Sequence, residues 1–124
     1  MADWALDPVS VQEGVSARSY ELLASAARTA STNGDSMTVP VGRELIVTLD
    51  VTAASGTTPT LDVKLQHSPD GTQWTDLGTA FAQKTAVGTE AKVFTGVHGY
   101  VRTVSTIGGT TPSFTYSVYA TGRP

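Results

Sequence analysis

The sequence predicts an all-β domain: an antiparallel two-sheet β-sandwich, of jelly-roll or immunoglobulin-like type, preceded by an extended N-terminal arm. Three observations support this prediction. The 124 residues include 20 threonines and 14 valines, and β-branched residues of this kind favour the pleated surface of a strand. Apolar and polar residues alternate along several segments, which is typical of half-buried antiparallel strands. Turn signals recur about every 8–12 residues, as they do in sandwiches and small barrels.

Composition argues against several functional classes. The chain has no cysteine, so it offers neither disulfides nor thiolate ligands for zinc. No run of strictly apolar residues is longer than three, so no membrane partner is expected, and no signal peptide is recognised. Eight lysines and arginines are scattered among eleven acidic residues, so no nucleic-acid partner is expected either.

The chain divides near Tyr20 into two parts. Residues 1–19 are the predicted arm, because they carry too little apolar surface to fold alone, and residues 20–124 are the predicted sandwich domain. The predicted partner contacts are four apolar residues of the arm: Trp4, Leu6, Val9 and Val11. A large aromatic side chain buried in a partner is the kind of contact that dominates an interface.

About eight strands are predicted in the domain. They cover residues 21–31, 36–41, 44–53, 60–67, 80–85, 90–95, 99–107 and 113–118. Ser68-Pro69-Asp70-Gly71 is a hairpin signal, which would place Trp74 and Leu77 on the returning strand. Four residues alternate with charged or hydroxyl neighbours and are predicted to be buried: Leu49, Val63, Phe114 and Tyr116.

A short motif occurs twice in the domain. Gly56-Thr57-Thr58-Pro59 recurs as Gly109-Thr110-Thr111-Pro112, at an offset of 53 residues. Glycine permits a tight reversal and proline favours an extended residue before it, so the motif predicts two similar β-hairpins. The alternative is that the same good turn sequence is simply used twice.

Residues 16–30 carry conflicting signals. Leu22, Leu23, Ala26, Ala27 and Ala30 match a helical stripe. The hairpin-type turn at 33–35 and the alternation at 37–41 instead favour a strand before the turn, which would pair with the strand after it. We therefore predict a strand over 21–31, with a helix as the alternative.

No catalytic, cofactor-binding or metal site is predicted. His67 and His98 are the only histidines, and neither has a second ligand at metal-binding spacing. Asp50 and Asp62 could face each other across a hairpin as paired carboxylates, but exposed strand faces normally carry such charges.

The segment 68–74 approaches the Asp-box of sialidases but lacks one residue of that motif. It also occurs once, whereas a propeller needs several blades. Trp74 within it could stack on a sugar, although a tryptophan just after a hairpin more often packs against the core.

Segments 49–65 and 68–76 resemble small virion proteins of tailed double-stranded DNA phages. The later segments Tyr100-Val101-Arg102 and Gly109-Thr110-Thr111-Pro112-Ser113-Phe114 are similar to the same group. The resemblance covers about residues 20–120, and its motifs are mainly turn and strand signals.

The resemblance implies a non-enzymatic virion protein, foremost a head decoration (cement) protein that binds and stabilises the lattice of the major capsid protein. It implies a homo-oligomer, with a trimer favoured, located on the capsid surface after synthesis in the host cytoplasm. Two alternatives remain: a tail or baseplate component, and a carbohydrate-binding module displayed on the virion.

Overall fold

A computed structural model describes residues 18–38, 44–97 and 99–122, with side chains from Tyr20 onward. Within this part of the chain seven strands form one antiparallel sheet without any helix. The strands are β1 (Arg18–Arg28), β2 (Thr32–Asn33), β3 (Met37–Thr38), β4 (Leu45–Ser68), β5 (Thr75–Leu77), β6 (Gly88–Phe94) and β7 (Tyr100–Gly122). The all-β antiparallel prediction is confirmed, whereas the division into two separate sheets is not.

Two very long strands form the centre of the sheet. β4 has 24 residues and β7 has 23, and they pair antiparallel along their whole length. The pairing runs from Leu45 opposite Gly122 to Ser68 opposite Tyr100. Four predicted strands, 44–53, 60–67, 99–107 and 113–118, are therefore halves of these two.

The prediction of two hairpins at the repeated motif is wrong. Both Gly-Thr-Thr-Pro segments lie in mid-strand and face each other, with Thr57 opposite Thr110. Each one bends its strand: Gly56 and Gly109 have φ of +113° and +110°, and the register shifts between Ser55 and Thr60. In a hairpin, the residues before each Gly-Thr-Thr-Pro motif would pair with the residues that follow it. Here each strand pairs instead with a partner that carries the same irregularity, so both continue.

The bends divide the sheet into two half-sheets. The first half-sheet contains β6, residues 45–55 of β4, residues 113–122 of β7, and β1. The second half-sheet contains β5, residues 60–68 of β4, residues 100–108 of β7, and the short strands β2 and β3. The pairing scheme is pseudo-symmetric, because exchanging β4 with β7 also exchanges β5 with β1 and β6 with the β2–β3 pair.

One hydrophobic core is built from the inward side chains of both half-sheets. Leu49, Val63, Phe114 and Tyr116 are each 0% exposed, which confirms their predicted burial. Burial of this kind is the main favourable contribution to folding.

The segment from Gly78 to Val87 crosses from one half-sheet to the other. The prediction of a strand at 80–85 is wrong, since the segment makes only an isolated bridge between Lys84 and Leu61. Phe81 donates its backbone N–H to the carbonyl oxygen of Val63, and its ring packs edge-to-face on Phe94 with centroids 6.1 Å apart. The segment is thus held by both half-sheets.

The conflict over residues 16–30 is settled in favour of a strand, β1. Its pairing with β7 is irregular between Glu21 and Leu23 and again between Leu23 and Ala26. These bulges break the alternation of buried and exposed positions. Of the residues in the helical stripe, Leu22 is buried and Leu23 packs against the core, whereas Ala26, Ala27 and Ala30 are exposed. The described residues contain no helix that is long and apolar enough to cross a membrane.

Candidate interaction surfaces

The candidate catalytic and metal-binding residues do not converge. Among the described residues, no group of three histidine, aspartate or glutamate side chains is placed to hold a metal ion. Asp50 accepts a hydrogen bond from the Thr89 hydroxyl at 3.0 Å in the first half-sheet, and Asp62 accepts one from Gln83 Nε2 at 3.1 Å in the second. The two carboxylates therefore do not face each other. His98 lies outside the described residues.

A network of polar side chains covers the outer side of the second half-sheet. We call this the charged face: Lys64, Gln66, Asp76 and Arg102. Arg102 donates from Nε and Nη2 to Gln66 Oε1 at 3.0 and 2.7 Å, and Gln66 Nε2 donates to Asp76 Oδ1 at 3.1 Å. Lys64 Nζ lies 3.1 Å from the same carboxylate oxygen. The hydrogen bond from Gln66, followed by that from Lys64, lowers the pKa of Asp76.

Trp74 lies at the border of the charged face. The Arg102 guanidinium carbon is 4.3 Å from the centroid of the Trp74 ring, a cation–π distance. Trp74 is half-buried and does not belong to the hydrophobic core, so the expectation that it packs in the core is wrong. Since Arg102 covers part of the ring, only the remainder could stack on a sugar.

The turn before Trp74 is organised by Asp70. Its Oδ1 accepts backbone N–H bonds from Thr72 and Gln73, each at 2.9 Å, and a bond from the Ser68 hydroxyl at 3.0 Å. These donors hold the pKa of Asp70 well below its usual range. All of these contacts are internal to the turn, so they fix its shape.

The outer side of the first half-sheet has a different character. We call it the uncharged face: Ile46, Thr48, Ala91, Val93, Tyr119 and Thr121. One row across the strands pairs Val93 with Ile46 and Ile46 with Thr121, and the next row pairs Ala91 with Thr48 and Thr48 with Tyr119.

Large apolar groups of the uncharged face are open to solvent. Ile46, Val93 and Tyr119 are 44%, 58% and 43% exposed, and they are three of the four exposed large hydrophobic side chains in the described part of the chain. Glu21 and Asp50 lie at its borders, opposite Tyr119 and Thr89 respectively. Apolar groups gathered on one face of a sheet make this face a candidate interaction surface.

A cleft of about 340 Å³ opens between β1 and the segment that precedes β3. Leu22 and Met37 line it together with Arg28. Arg28 donates to the carbonyl oxygens of Ala24 and Tyr116 at 2.7 and 3.1 Å, and it lies 5.0 Å from the Tyr116 ring centroid. These contacts hold the guanidinium against the edge of the sheet, where it stabilises β1.

The predicted partner contacts Trp4, Leu6, Val9 and Val11 lie outside the described residues, so their role stays a prediction. Sequence reasoning missed the uncharged face. The available signal was that Ile46 and Val93 are large apolar residues at the outward positions of their strands.

Comparison with solved structures shows a likeness of fold. The crystal structure of the SPBc2 prophage-derived protein YomS is similar, with a TM-score of 0.51 and 16% sequence identity. The alignment covers 91% of this chain and 99% of that chain. At this identity the likeness concerns the fold. No family model matches the chain, and no curated protein matches it.

Proposed function

We propose that this protein is a non-enzymatic structural protein of a tailed-phage particle, a head decoration protein that binds and stabilises the major capsid lattice. The observation that carries the proposal is the contrast between its two outer faces. The polar side chains of the charged face bond to one another and remain partly exposed to water. The uncharged face leaves three large apolar side chains exposed, and their removal from water favours contact with another protein.

Two further observations support a phage origin. The chain shares its fold with a prophage-derived protein over most of both chains, and its turn and strand motifs resemble small virion proteins. A fold alone does not assign a function, so the proposal rests on the faces and uses the likeness as support.

The shape also suits a module that is fixed to a larger assembly. We infer that the two half-sheets pack face to face as the layers of a sandwich, because their inward side chains form one core. Such an arrangement presents the uncharged and charged faces on different sides of the domain. On a particle we expect a homo-oligomer, foremost a trimer, with the charged face toward solvent.

Quantitative mass spectrometry of purified particles tests the proposal. A decoration protein should be found at a copy number comparable to that of the major capsid protein. A few copies per particle would instead support a tail or baseplate component. Absence of the chain from purified particles would contradict both.

A carbohydrate-binding role is a second candidate, because Trp74 is half-exposed beside the polar side chains of the charged face. Stacking on a sugar would use the part of the ring that Arg102 leaves open. Binding to a glycan array that is lost in Trp74→Ala and kept in Ile46→Ala would favour this role. No binding by the unaltered protein would exclude it for the glycans tested.

A further inference from the structure

We propose that the outer edge of β6 pairs with β6 of a second copy of this chain, antiparallel and about a two-fold axis. The pairing concerns a sheet edge of the free protein, so it is independent of the proposed function. Seven residues, Gly88–Phe94, form this edge, and β4 is their strand partner within the described part of the chain.

Among the described strands, β6 is the border of the sheet that is both long and regular. The second half-sheet is bordered by β5, which has three residues, and by β2 and β3, which have two each. The other border of the first half-sheet is β1, whose pairing is interrupted by two register shifts. Very short strands and bulges keep an edge from pairing with other chains. By contrast, β6 pairs with β4 without a register shift and contains no proline, so its outer backbone groups offer a template for another strand.

Two charges on β6 indicate what the occupant is. Glu90 lies opposite the buried Leu49, so it is on the inward side of the strand. Lys92 lies opposite the buried Val47 and is on the same side. Inward charges on an edge strand normally discourage pairing. Here they have opposite sign and are two residues apart, so an antiparallel copy of the same strand can place each opposite the other.

The register of the pair follows from the sides of the strand. Directly opposite residues share a side of the sheet, so inward residues of one copy must lie opposite inward residues of the other. Centring the pair on Ala91 meets this condition and places Glu90 opposite Lys92 of the second copy at two equivalent positions. Centring it on Glu90 or on Lys92 would bring like charges together on the axis, which is destabilising. The sequence of β6 is therefore complementary to itself in one register.

Glu90 can accept a bond from the second copy without losing its present partners. The Lys84 ammonium and the Ala82 backbone N–H both bond to Oε1. Within the described residues no donor bonds to Oε2, and the Glu90 side chain is 25% exposed. The Lys92 ammonium of a second copy would lie beside this oxygen in the register centred on Ala91.

The contact is small and closed. Seven strand residues span roughly 24 Å. A single pair of strands of this length buries less than the roughly 800 Å² per partner of a stable complex. We therefore expect a weak pair whose population rises with protein concentration. A two-fold contact does not build a trimer, so in the predicted trimer this edge would join copies of neighbouring trimers.

The absence of cysteine from the chain allows a direct test by disulfide cross-linking of the free protein. In the proposed register the two copies of Ala91→Cys have Cα atoms about 4.5–5.5 Å apart, a distance that a disulfide spans. The matched control is Ile46→Cys, on the same outer face but one strand inside the edge. Its two copies would be at least three strand spacings apart, roughly 14 Å, which is too far. On oxidation at high concentration we expect an Ala91→Cys dimer and no Ile46→Cys dimer.

A charge reversal tests the register. Lys92→Glu in the Ala91→Cys background places Glu90 opposite a second carboxylate, and it should slow cross-linking about tenfold. Lys64→Glu in the same background makes an equal change in net charge on the charged face, and it should leave the rate unchanged. Sedimentation equilibrium of the unaltered protein provides a readout without any substitution, and its average mass should rise with concentration.

Four outcomes overturn the proposal. These are no Ala91→Cys dimer, equal dimer formation by Ile46→Cys, equal slowing by the two charge reversals, and an unaltered protein that stays monomeric at every concentration. Each of them leaves the proposed function intact, because that function is tested by the copy number on particles.

Discussion

Gly56 and Gly109 occupy equivalent positions on the two central strands, and each lies against the backbone of the other strand's Gly-Thr-Thr-Pro segment. A Cβ on Gly56 would lie 2.7 Å from the carbonyl oxygen of Thr111, and a Cβ on Gly109 would lie 2.7 Å from that of Thr58. The two strands therefore approach each other closely at both glycines, where a Cβ would collide with the backbone of the partner strand.

Replacing either glycine by alanine should destabilise the protein to a similar extent. Alanine would combine an unfavourable positive φ with a collision between its Cβ and the backbone. We expect the free energy of unfolding to fall by roughly 1–3 kcal/mol or more. The measurement is urea denaturation of Gly56→Ala and Gly109→Ala. Gly88→Ala is the control, because a Cβ there meets nothing within 4 Å. Equal stability of all three variants would contradict the close approach of the two strands at Gly56 and Gly109.

The repeated motif illustrates what the sequence could and could not predict. Composition and alternation indicated most of the strands, though not one at 80–85, and the four inward residues correctly, because both are local properties. Whether Gly-Thr-Thr-Pro reverses a strand or only bends it depends on what pairs beside it. That partner lies 53 residues away, and local turn chemistry is the same in both cases.

Leu49→Ala and Phe114→Ala should each lower the free energy of unfolding by roughly 2–5 kcal/mol, because both side chains are fully buried. Ile46→Ala, on the same strand as Leu49 but facing outward, is the matched control and should cost much less. The readout is chemical denaturation monitored by circular dichroism. Similar losses in Leu49→Ala and Ile46→Ala would contradict the assigned faces.

Glu90 should contribute to folding stability at neutral pH, and this contribution should be lost in acid. The Lys84 ammonium beside it holds the pKa of Glu90 below its ordinary value, and the Ala82 backbone N–H adds a weaker effect. A carboxylate with a lowered pKa in the folded state stabilises the fold above about pH 4.3, and this contribution is lost as the pH falls through the folded value.

Thermal unfolding of Glu90→Gln from pH 7 to pH 3 measures this contribution. The variant should be less stable than the unaltered protein at pH 7, and the difference should shrink toward pH 3. Glu44→Gln, at an exposed position, is the control. A difference that stays constant across this range would mean that the ion pair with Lys84 does not contribute.

The candidate site was less predictable than the fold. Ile46, Val93 and Tyr119 are far apart in sequence, and only the register of β6, β4 and β7 brings them onto one face. Each alone would pass for an ordinary exposed apolar residue. The predicted contacts in residues 1–19 rest on composition alone, and they stay a prediction.

A cryo-electron microscopy reconstruction of the native particle tests the central claim most directly. We predict density for the sheet on the head, with Ile46, Val93 and Tyr119 covered by protein and with Lys64, Gln66 and Arg102 facing solvent. A head that carries the domain with the uncharged face open to solvent, or a head without the domain, would contradict it.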